Sequence, residues 1–361
     1  MFRDDLQRIK IGLVGCGVIS YAHMNAYAQI PQAEVVAVCD IFEPLASSLA
    51  KRYGIKEFYT DYEKMLKRED IDVIDVCTPT SLHKDFTIKA LEAGKHVFCE
   101  KPIASNLMEA DEIIDSQKKF KKYVLIGHSN RYLPITINSK EIVQKGLLGE
   151  IFLVKTAHRF DNPFEKWAQN PENPKYYWEK GGGPIIDSGV HSADLCNYFL
   201  LDEPTYVYAK GLSFPKVLPF FTSAHINVEY NHGGHGIIII NRQTRNYPQY
   251  ERYLEIIGSE RSIWGFDNFY RQTIVFNALS LNELYEGGNI SYLSPTAHTM
   301  FREYLPANSE IYLELTDFIR TIINASPPPI SLEDARKALE ICIAAEKSIR
   351  YEKEIELPLK E

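Results

Sequence analysis

The sequence lacks a long uncharged apolar run, a close pair of cysteines and a concentrated basic patch. Without an apolar run of bilayer length no spanning helix is expected, and the charged opening residues Met1 to Arg8 do not read as a leader, so a cytoplasmic location is the expectation. The six cysteines, Cys16, Cys39, Cys77, Cys99, Cys196 and Cys342, contain no Cys-x-x-Cys spacing, which argues against a disulfide framework or a zinc cluster. The histidines show no metal-ligand spacing with a third partner, and no metal is expected. The net charge is −8. The densest basic group, Lys118, Lys119, Lys121 and Lys122, follows a helical pattern and reads as the wet end of that helix, so nucleic acid is not an expected partner. Internal repeats and low-complexity segments are absent too. With 45% hydrophobic and 24% charged residues, the chain is of ordinary globular composition. Its 361 residues suffice for two domains, each with its own core.

What is present changes character along the chain. In the first third, short apolar runs alternate with helical patterns. The runs are Ile9 to Val14, Glu34 to Cys39, Val73 to Cys77, His96 to Cys99 and Tyr123 to Gly127. Rich in Val and Ile and bounded by Gly, Pro, Asp or Thr, they suit parallel strands buried on both faces. Helical patterns lie between them at Ser20 to Gln29, His83 to Ala93 and Asn106 to Phe120, the last with Asn106 as its cap. Strand–helix–strand alternation predicts right-handed crossovers and an α/β, doubly wound sheet. From Ile151 the strand patterns lengthen and alternate: in His225 to Tyr230, Ile226, Val228 and Tyr230 share one face. Gly236 to Asn241 and Tyr253 to Ile257 continue the pattern, which predicts a mostly antiparallel sheet with one covered face and one free face. The free face suggests a homodimer or homotetramer. Helices are expected at Glu310 to Asn324 and Ser331 to Ser348, the second opening on a capping box with Asp334 in the acid position. The expected domains are 1–128 and 129–361.

After the first strand comes Gly15-Cys16-Gly17-Val18-Ile19-Ser20, with the spacing of a dinucleotide loop and Ser20 in the third glycine position. Gly15 permits a tight turn, Gly17 lets backbone approach a pyrophosphate, and the next helix offers its free N–H groups to that anion. Asp40 follows about twenty residues on, where an acid accepts hydrogen bonds from the adenosine ribose. It repels a 2′-phosphate, and no arginine follows, so NAD is favoured over NADP.

Further segments carry a family resemblance. They are Cys77-Thr78-Pro79-Thr80-Ser81-Leu82-His83, Glu100-Lys101-Pro102, Gly146 to Glu150, and Gly181-Gly182-Gly183-Pro184-Ile185-Ile186-Asp187-Ser188-Gly189-Val190-His191 with Ser192, Ala193 and Asp194. Together with the glycine loop they resemble the glucose-fructose oxidoreductase, inositol dehydrogenase and MocA-like group. The resemblance implies a Rossmann domain followed by an α+β domain with an open-faced sheet. It also implies bound NAD or NADP and redox chemistry at a carbinol carbon of a sugar, sugar derivative or cyclitol.

Lys101 corresponds to the family's lysine and sits just past a buried parallel strand, at the edge where ligands lie in open α/β sheets. Its ammonium can steady the negative charge that grows on the reacting oxygen. Asp187 and His191 stand four apart in a helical segment and share a face, with Asp194 seven on from Asp187. His191 is the expected general base. Asp187 tunes the pair or anchors a hydroxyl, and Asp194 does the same or fixes the helix. The resemblance, not the spacing, couples Lys101 to His191. Gly15, Gly17, Val18, Ile19, Asp40, Thr78, Pro79, His83, Glu100 and Lys101 are the expected cofactor contacts, with His83 open to reading as a helix-start residue. Arg131, Arg159 and Trp178 join Lys101, Asp187 and His191 as substrate contacts, with Tyr176, Tyr177 and His158 as further pocket residues. Two rival readings stand beside the dehydrogenase: a glycosidase that uses NAD for transient oxidation, and a cofactor-binding regulator without catalysis.

Overall fold

The computed structural model describes residues 8–159, 183–214, 216, 218, 220–242, 251–268, 271–277, 290–294, 297–300 and 309–360. The chain divides into two compact units, one of residues 1–129 with 308–336, the other of 130–307 with 337–361. Residues 308–336, which the sequence pattern had joined to the second domain, thus pack with the first unit.

The first unit is built on a six-stranded parallel sheet. Its strands are β1 (Ile9–Val14), β2 (Ala33–Cys39), β3 (Glu57–Tyr59), β4 (Val73–Val76), β5 (His96–Glu100) and β6 (Val124–Gly127), in the order β3-β2-β1-β4-β5-β6. Chain order reverses between β1 and β4, which defines the crevice where ligands bind in such sheets. Register brings the strand ends level: Val14 pairs with Cys39 and with Val76, and Glu100 pairs with Gly127. Gly15, Asp40, Cys77, Lys101 and His128 therefore leave one carboxyl edge together.

Helices α1 (Val18–Tyr27), α2 (Glu43–Tyr53), α3 (Tyr62–Leu66), α4 (His83–Glu92) and α5 (Leu107–Phe120) join the strands. The N-cap of α5 is Asn106, whose Oδ1 accepts the Glu109 N–H at 2.9 Å. The later helix of this unit buries Ile311, Leu315, Phe318 and Ile319, a stripe at helical spacing. It packs on α1, and Phe318 meets Phe98 edge-on at 5.8 Å.

The second unit holds α6 (Pro134–Gln144), β7 (Ile151–Arg159), α7 (Gly183–Leu200), β8 (Pro204–Leu212), β9 (Ser223–Tyr230), β10 (His235–Asn241), β11 (Glu251–Gly258), β12 (Ser262–Asn268), β13 (Arg271–Asn277), β14 (Ile290–Ser294) and β15 (Ala297–Met300). Helix α8 (Ser309–Asn324) belongs to the first unit and is the one packed on α1, while α9 (Leu332–Tyr351) begins there and ends in the second. Its cap is the expected one, since the Asp334 N–H donates to Ser331 Oγ at 3.0 Å. With β16 (Ile355–Glu356), the second sheet has ten strands, ordered β14-β15-β13-β12-β11-β7-β10-β9-β8-β16. It is antiparallel except for the parallel β7–β10 pair. Val154, Thr156 and His158 of β7 face one side with Ile226, Ile238 and Leu254, all buried, and α7 packs on β7 and β10.

The outward row crosses six strands through Tyr208, Asn227, Ile237, Lys155, Glu255 and Trp264. Tyr208 and Trp264 remain 39% and 38% exposed. Among the described residues no helix is long and apolar enough to cross a membrane, and all six cysteines are buried free thiols.

Candidate active site

The glycine loop takes its shape from contacts only glycine permits. Gly15 has φ +91°, in the left-handed region, and a Cβ there would lie 2.5 Å from the Cys77 carbonyl oxygen, a separation no side chain tolerates. The Gly15 N–H donates to the Cys39 carbonyl at 2.8 Å. Gly17 caps α1 in an extended conformation, with nothing within 4 Å of where its Cβ would stand. Val18, first in the helix, is 90% exposed, while Ile19 turns inward onto the core around Leu13 and Leu49. The helix thus presents its free N–H groups to open space. Ser20 suits the third glycine position because it turns its hydroxyl back, donating to the Gly17 carbonyl at 2.6 Å.

Asp40 does more than the sequence reading gave it. Its Oδ2 accepts the Cys16 N–H at 2.8 Å and its Oδ1 accepts the Phe42 N–H at 2.9 Å, so it shapes the glycine loop from the next strand. Each oxygen keeps acceptor capacity for a further donor. Burial and the Asp40 charge push the Cys16 thiol up to about 12, which removes it as a nucleophile. Thr78 Oγ1 is buried without a hydrogen-bond partner among the described residues, and Pro79 caps the short 3₁₀ turn that follows. A glycine cradle, a free helix N-terminus, an acid at the end of β2 and an orphaned hydroxyl across the crevice together fit a dinucleotide.

Lys101 leaves the carboxyl end of β5, where side chains on both sides hold its neighbours. His83 is buried and its ring bridges two loops, with Nδ1 2.7 Å from the Pro102 carbonyl and Nε2 2.9 Å from the Thr78 carbonyl. Burial lowers its pKa below 6.5. It is both the first residue of α4 and a tie between the Thr78 and Lys101 segments.

Glu100 turns inward. Its Oε1 lies 3.0 Å from Nε2 of buried His23, whose Nδ1 lies 2.8 Å from Asp75 Oδ2. Its Oε2 accepts the Lys101 N–H at 3.2 Å. Burial alone would raise the Glu100 pKa, but the His23 hydrogen bond and charge bring it below its ordinary 4.5. His23, Asp75 and Cys77 also bring potential metal-ligating atoms within 4.8 Å of one another, a grouping that sequence spacing did not suggest. Both ring nitrogens of His23 already face carboxylates, so the group reads as a hydrogen-bonded network. Sequence reading missed His23 and Asp75 because each is a polar letter in an element read for its apolar residues.

In the second unit, Asp187 and His191 lie on α7 at the expected four-residue spacing. Asp187 is gripped by Arg242, whose Nη2 donates to Asp187 Oδ2 at 2.7 Å while its Nε donates to Ser188 Oγ at 2.9 Å. His191 is buried, with the His158 ring edge-on at 5.9 Å. His158 Nδ1 stands 3.4 Å from the Ser188 carbonyl, so this ring backs the same turn of α7.

Asp194 and Arg131 find each other: Nε and Nη2 of Arg131 donate to the two carboxylate oxygens at 2.8 and 2.6 Å, and the guanidinium lies 4.6 Å over Tyr198. The pair ties Asp194 of α7 to the Ser129–Tyr132 turn and gives Arg131 a buried partner. Arg159 pairs with Glu251 at 2.7 Å, on the outward face and away from the side that α7 covers, so the structure does not bring it to Asp187 and His191. Arg252, absent from the sequence reading, faces inward beside His158 and donates to Asn130 Oδ1 at 3.2 Å. Trp178, with Tyr176 and Tyr177, lies outside the described residues.

Two parts of one family match the chain. The oxidoreductase family described as GFO_IDH_MocA, with an NAD-binding Rossmann fold, matches residues 9–128, and the GFO/IDH/MocA C-terminal domain matches residues 137–264. The chain belongs to this family. Its first unit is accordingly an NAD-binding Rossmann domain. The chain is 26% identical to a myo-inositol 2-dehydrogenase of Thermotoga maritima, over 97% of this chain and 98% of that one. It is 34% identical to a D-glucoside 3-dehydrogenase of Escherichia coli K12 over 58% of each. In fold it matches a levoglucosan dehydrogenase solved with NADH, at TM-score 0.83 and 22% identity, covering 98% of this chain and all of the other.

Proposed function

We propose that this GFO/IDH/MocA-family oxidoreductase is an NAD-dependent dehydrogenase that acts on a hydroxyl-bearing carbon of a sugar, sugar derivative or cyclitol. One observation carries the reading: Glu100-Lys101-Pro102 stands at the ligand edge of a Rossmann sheet in the same chain that carries Asp187 and His191 on one face of a helix. A regulator has no need of that set. The names of the relatives, a cyclitol and a glucoside dehydrogenase, support the substrate class.

Gly15, Gly17, Val18 and Ile19 with the N-terminus of α1 hold the pyrophosphate, and Asp40 accepts from the adenosine ribose, which favours NAD over NADP. Thr78 and Pro79 flank the crevice, with His83 and Glu100 behind them. Bound nicotinamide supplies the hydride acceptor. The Lys101 ammonium donates to the reacting oxygen and steadies the charge that grows on it. His191 takes the hydroxyl proton. Asp187, kept as an acceptor by a guanidinium that never loses its charge, anchors a substrate hydroxyl. Arg131 and Arg159 serve as supports in their ion pairs. The enzyme works in the cytoplasm as a homodimer or homotetramer through its outward sheet face, a reading supported by the exposed rings of Tyr208 and Trp264.

An NAD-linked absorbance screen across cyclitols, aldoses, sugar acids and nucleotide sugars tests the activity. Net NADH with at least one free polyol is expected. Release of an aglycone without net NADH would transfer the chain to glycosidase chemistry, and NAD binding without turnover across the panel would leave a regulator. Lys101→Met lowers turnover by about a hundredfold or more; unchanged turnover removes Lys101 from the reaction.

A further inference from the structure

Helix α1 carries more than the dinucleotide loop. His23 lies in its middle, fully buried, with Phe98 edge-on to its ring at 5.4 Å. Asp75 of β4 and Glu100 of β5 flank it at 2.8 and 3.0 Å. Carboxylate oxygens only accept hydrogen bonds, so a ring that carries both protons satisfies the two contacts together. Burial alone would lower the His23 pKa, but Asp75 and Cys77 hold it well above 6.5. Other groups facing the trio include the Cys77 sulfur, 3.4 Å from Nδ1, Tyr27 of the same helix, whose pKa burial and the Asp75 charge raise, and, beside Glu100, Lys101 and His83.

Two carboxylates and one imidazolium inside a sheet are an expensive arrangement. Each buried ion costs several kcal/mol unless paired, and apolar replacements of such groups are often neutral or stabilising. The sheet does not need them in order to form, because its strands already bury Ile11, Leu13, Val38, Ile74, Val76 and Phe98. What the trio adds is a linkage. It runs from the cofactor helix through His23, held from β4 by Asp75, and Glu100 to the backbone of one residue, since the second oxygen of Glu100 accepts the Lys101 N–H.

We infer that His23 is a positioning residue for Lys101: by fixing Glu100 it sets the lysine backbone against the helix that holds the dinucleotide loop. The inference rests on the role given to Lys101 above. Asp75 shares the job, because its charge keeps both ring nitrogens protonated. If Asp75 becomes Asn, its amide donates to Nδ1 and the ring keeps only its Nε2–H, so the bond to Glu100 loses the charge on the ring and the grip on the Lys101 N–H loosens.

The test uses the full chain as His23→Gln and Asp75→Asn, each alone and combined with Lys101→Met. Turnover is measured with myo-inositol, or with another polyol if the screen finds one that reduces NAD faster. Each single variant lowers kcat about tenfold, while KM for the polyol and the calorimetric Kd for NAD stay within about threefold. Added to Lys101→Met, each lowers kcat by less than about twofold, because the interaction it supports is already gone. Hydrogen exchange, followed by mass spectrometry, speeds up at the Lys101 amide and not along α1. Unchanged kcat, or losses that multiply with those of Lys101→Met, would overturn the inference. Asp75→Asn preserves shape and carries the test if His23→Gln does not fold. If Lys101→Met alone turns over normally, the catalytic role of Lys101 falls, and the exchange rate of its amide in Asp75→Asn decides the positioning claim by itself.

Discussion

The two units hold their polar side chains by opposite means. At the carboxyl edge of the parallel sheet, two carboxylates grip a histidine, and a second histidine spans two carbonyls. On α7 the carboxylates are gripped instead, Asp187 by Arg242 and Asp194 by Arg131. A guanidinium stays charged at every working pH, whereas an imidazole can give up its proton. The second unit therefore fixes its acids permanently, and the first depends on the proton that His23 carries. The difference fits the roles proposed here, with a lysine of fixed position in one unit and a histidine that moves a proton beside balanced ion pairs in the other.

Removing Arg242 breaks that contrast most directly. Arg242→Gln removes the guanidinium beside Asp187 and a donor to Ser188. The pair is partly exposed, so the loss of stability is about 2 kcal/mol, below the cost for a fully buried pair. We expect kcat to fall about tenfold. Arg242→Lys keeps the charge but loses the fork, and retains an intermediate rate. Steady-state kinetics with urea melts on both variants check this; Arg242→Gln with full turnover would sever Asp187 from the reaction.

The same contrast explains what could be read from the sequence. The glycine loop and the Asn106 and Ser331 caps are written in residues within a few positions of one another, and each was legible. So was the alternation in β9, because burial with a period of two is written directly in the letters. β1 has the expected bounds and β4 ends one residue early. β3, only Glu57–Tyr59 and mostly exposed, carries too little pattern to announce itself. The partners that hold the site were not legible, since contact between distant letters leaves no local periodicity. His23 lies 52 residues from Asp75 and 77 from Glu100, Arg242 lies 55 from Asp187, and Arg131 lies 63 from Asp194. Arg159 shows the reverse error. It is one residue from His158, but strand alternation sends the two side chains to opposite faces.

The outward face of the second sheet sharpens the comparison at a larger scale. The row from Tyr208 to Trp264 crosses five strand spacings, about 24 Å at roughly 4.8 Å each. A ring stands at either end, with Ile237 and the Lys155–Glu255 pair between. Light scattering on the intact chain should give the mass of a dimer or tetramer, and Tyr208→Glu with Trp264→Glu should halve the mass or reduce it further. A monomer before any substitution would end the proposal that this face pairs with its copy.

The smallest effect separates two histidines within the first unit. His96 stacks on Tyr123 at 5.2 Å, and its Nδ1 accepts the Tyr123 N–H at 3.0 Å, a bond that a protonated Nδ1 cannot accept. Burial first and the Lys122 charge second bring its pKa down to about 4, against an opposing pull from Asp72. The unfolded chain takes up this proton near 6.5, while the folded ring resists it to about 4, so between those values stability falls as pH falls. His23 has the opposite sign. Its folded pKa is raised, so its contribution is complete below the unfolded value and is lost as pH rises through the folded one. Thermal melts should therefore weaken toward both acid and alkali. His96→Asn keeps an acceptor for the Tyr123 N–H and should flatten the acid limb while leaving the alkaline limb in place. Because His96 is only part-buried, the change is a few degrees at most. An acid limb that persists undiminished in His96→Asn would assign that limb to other groups.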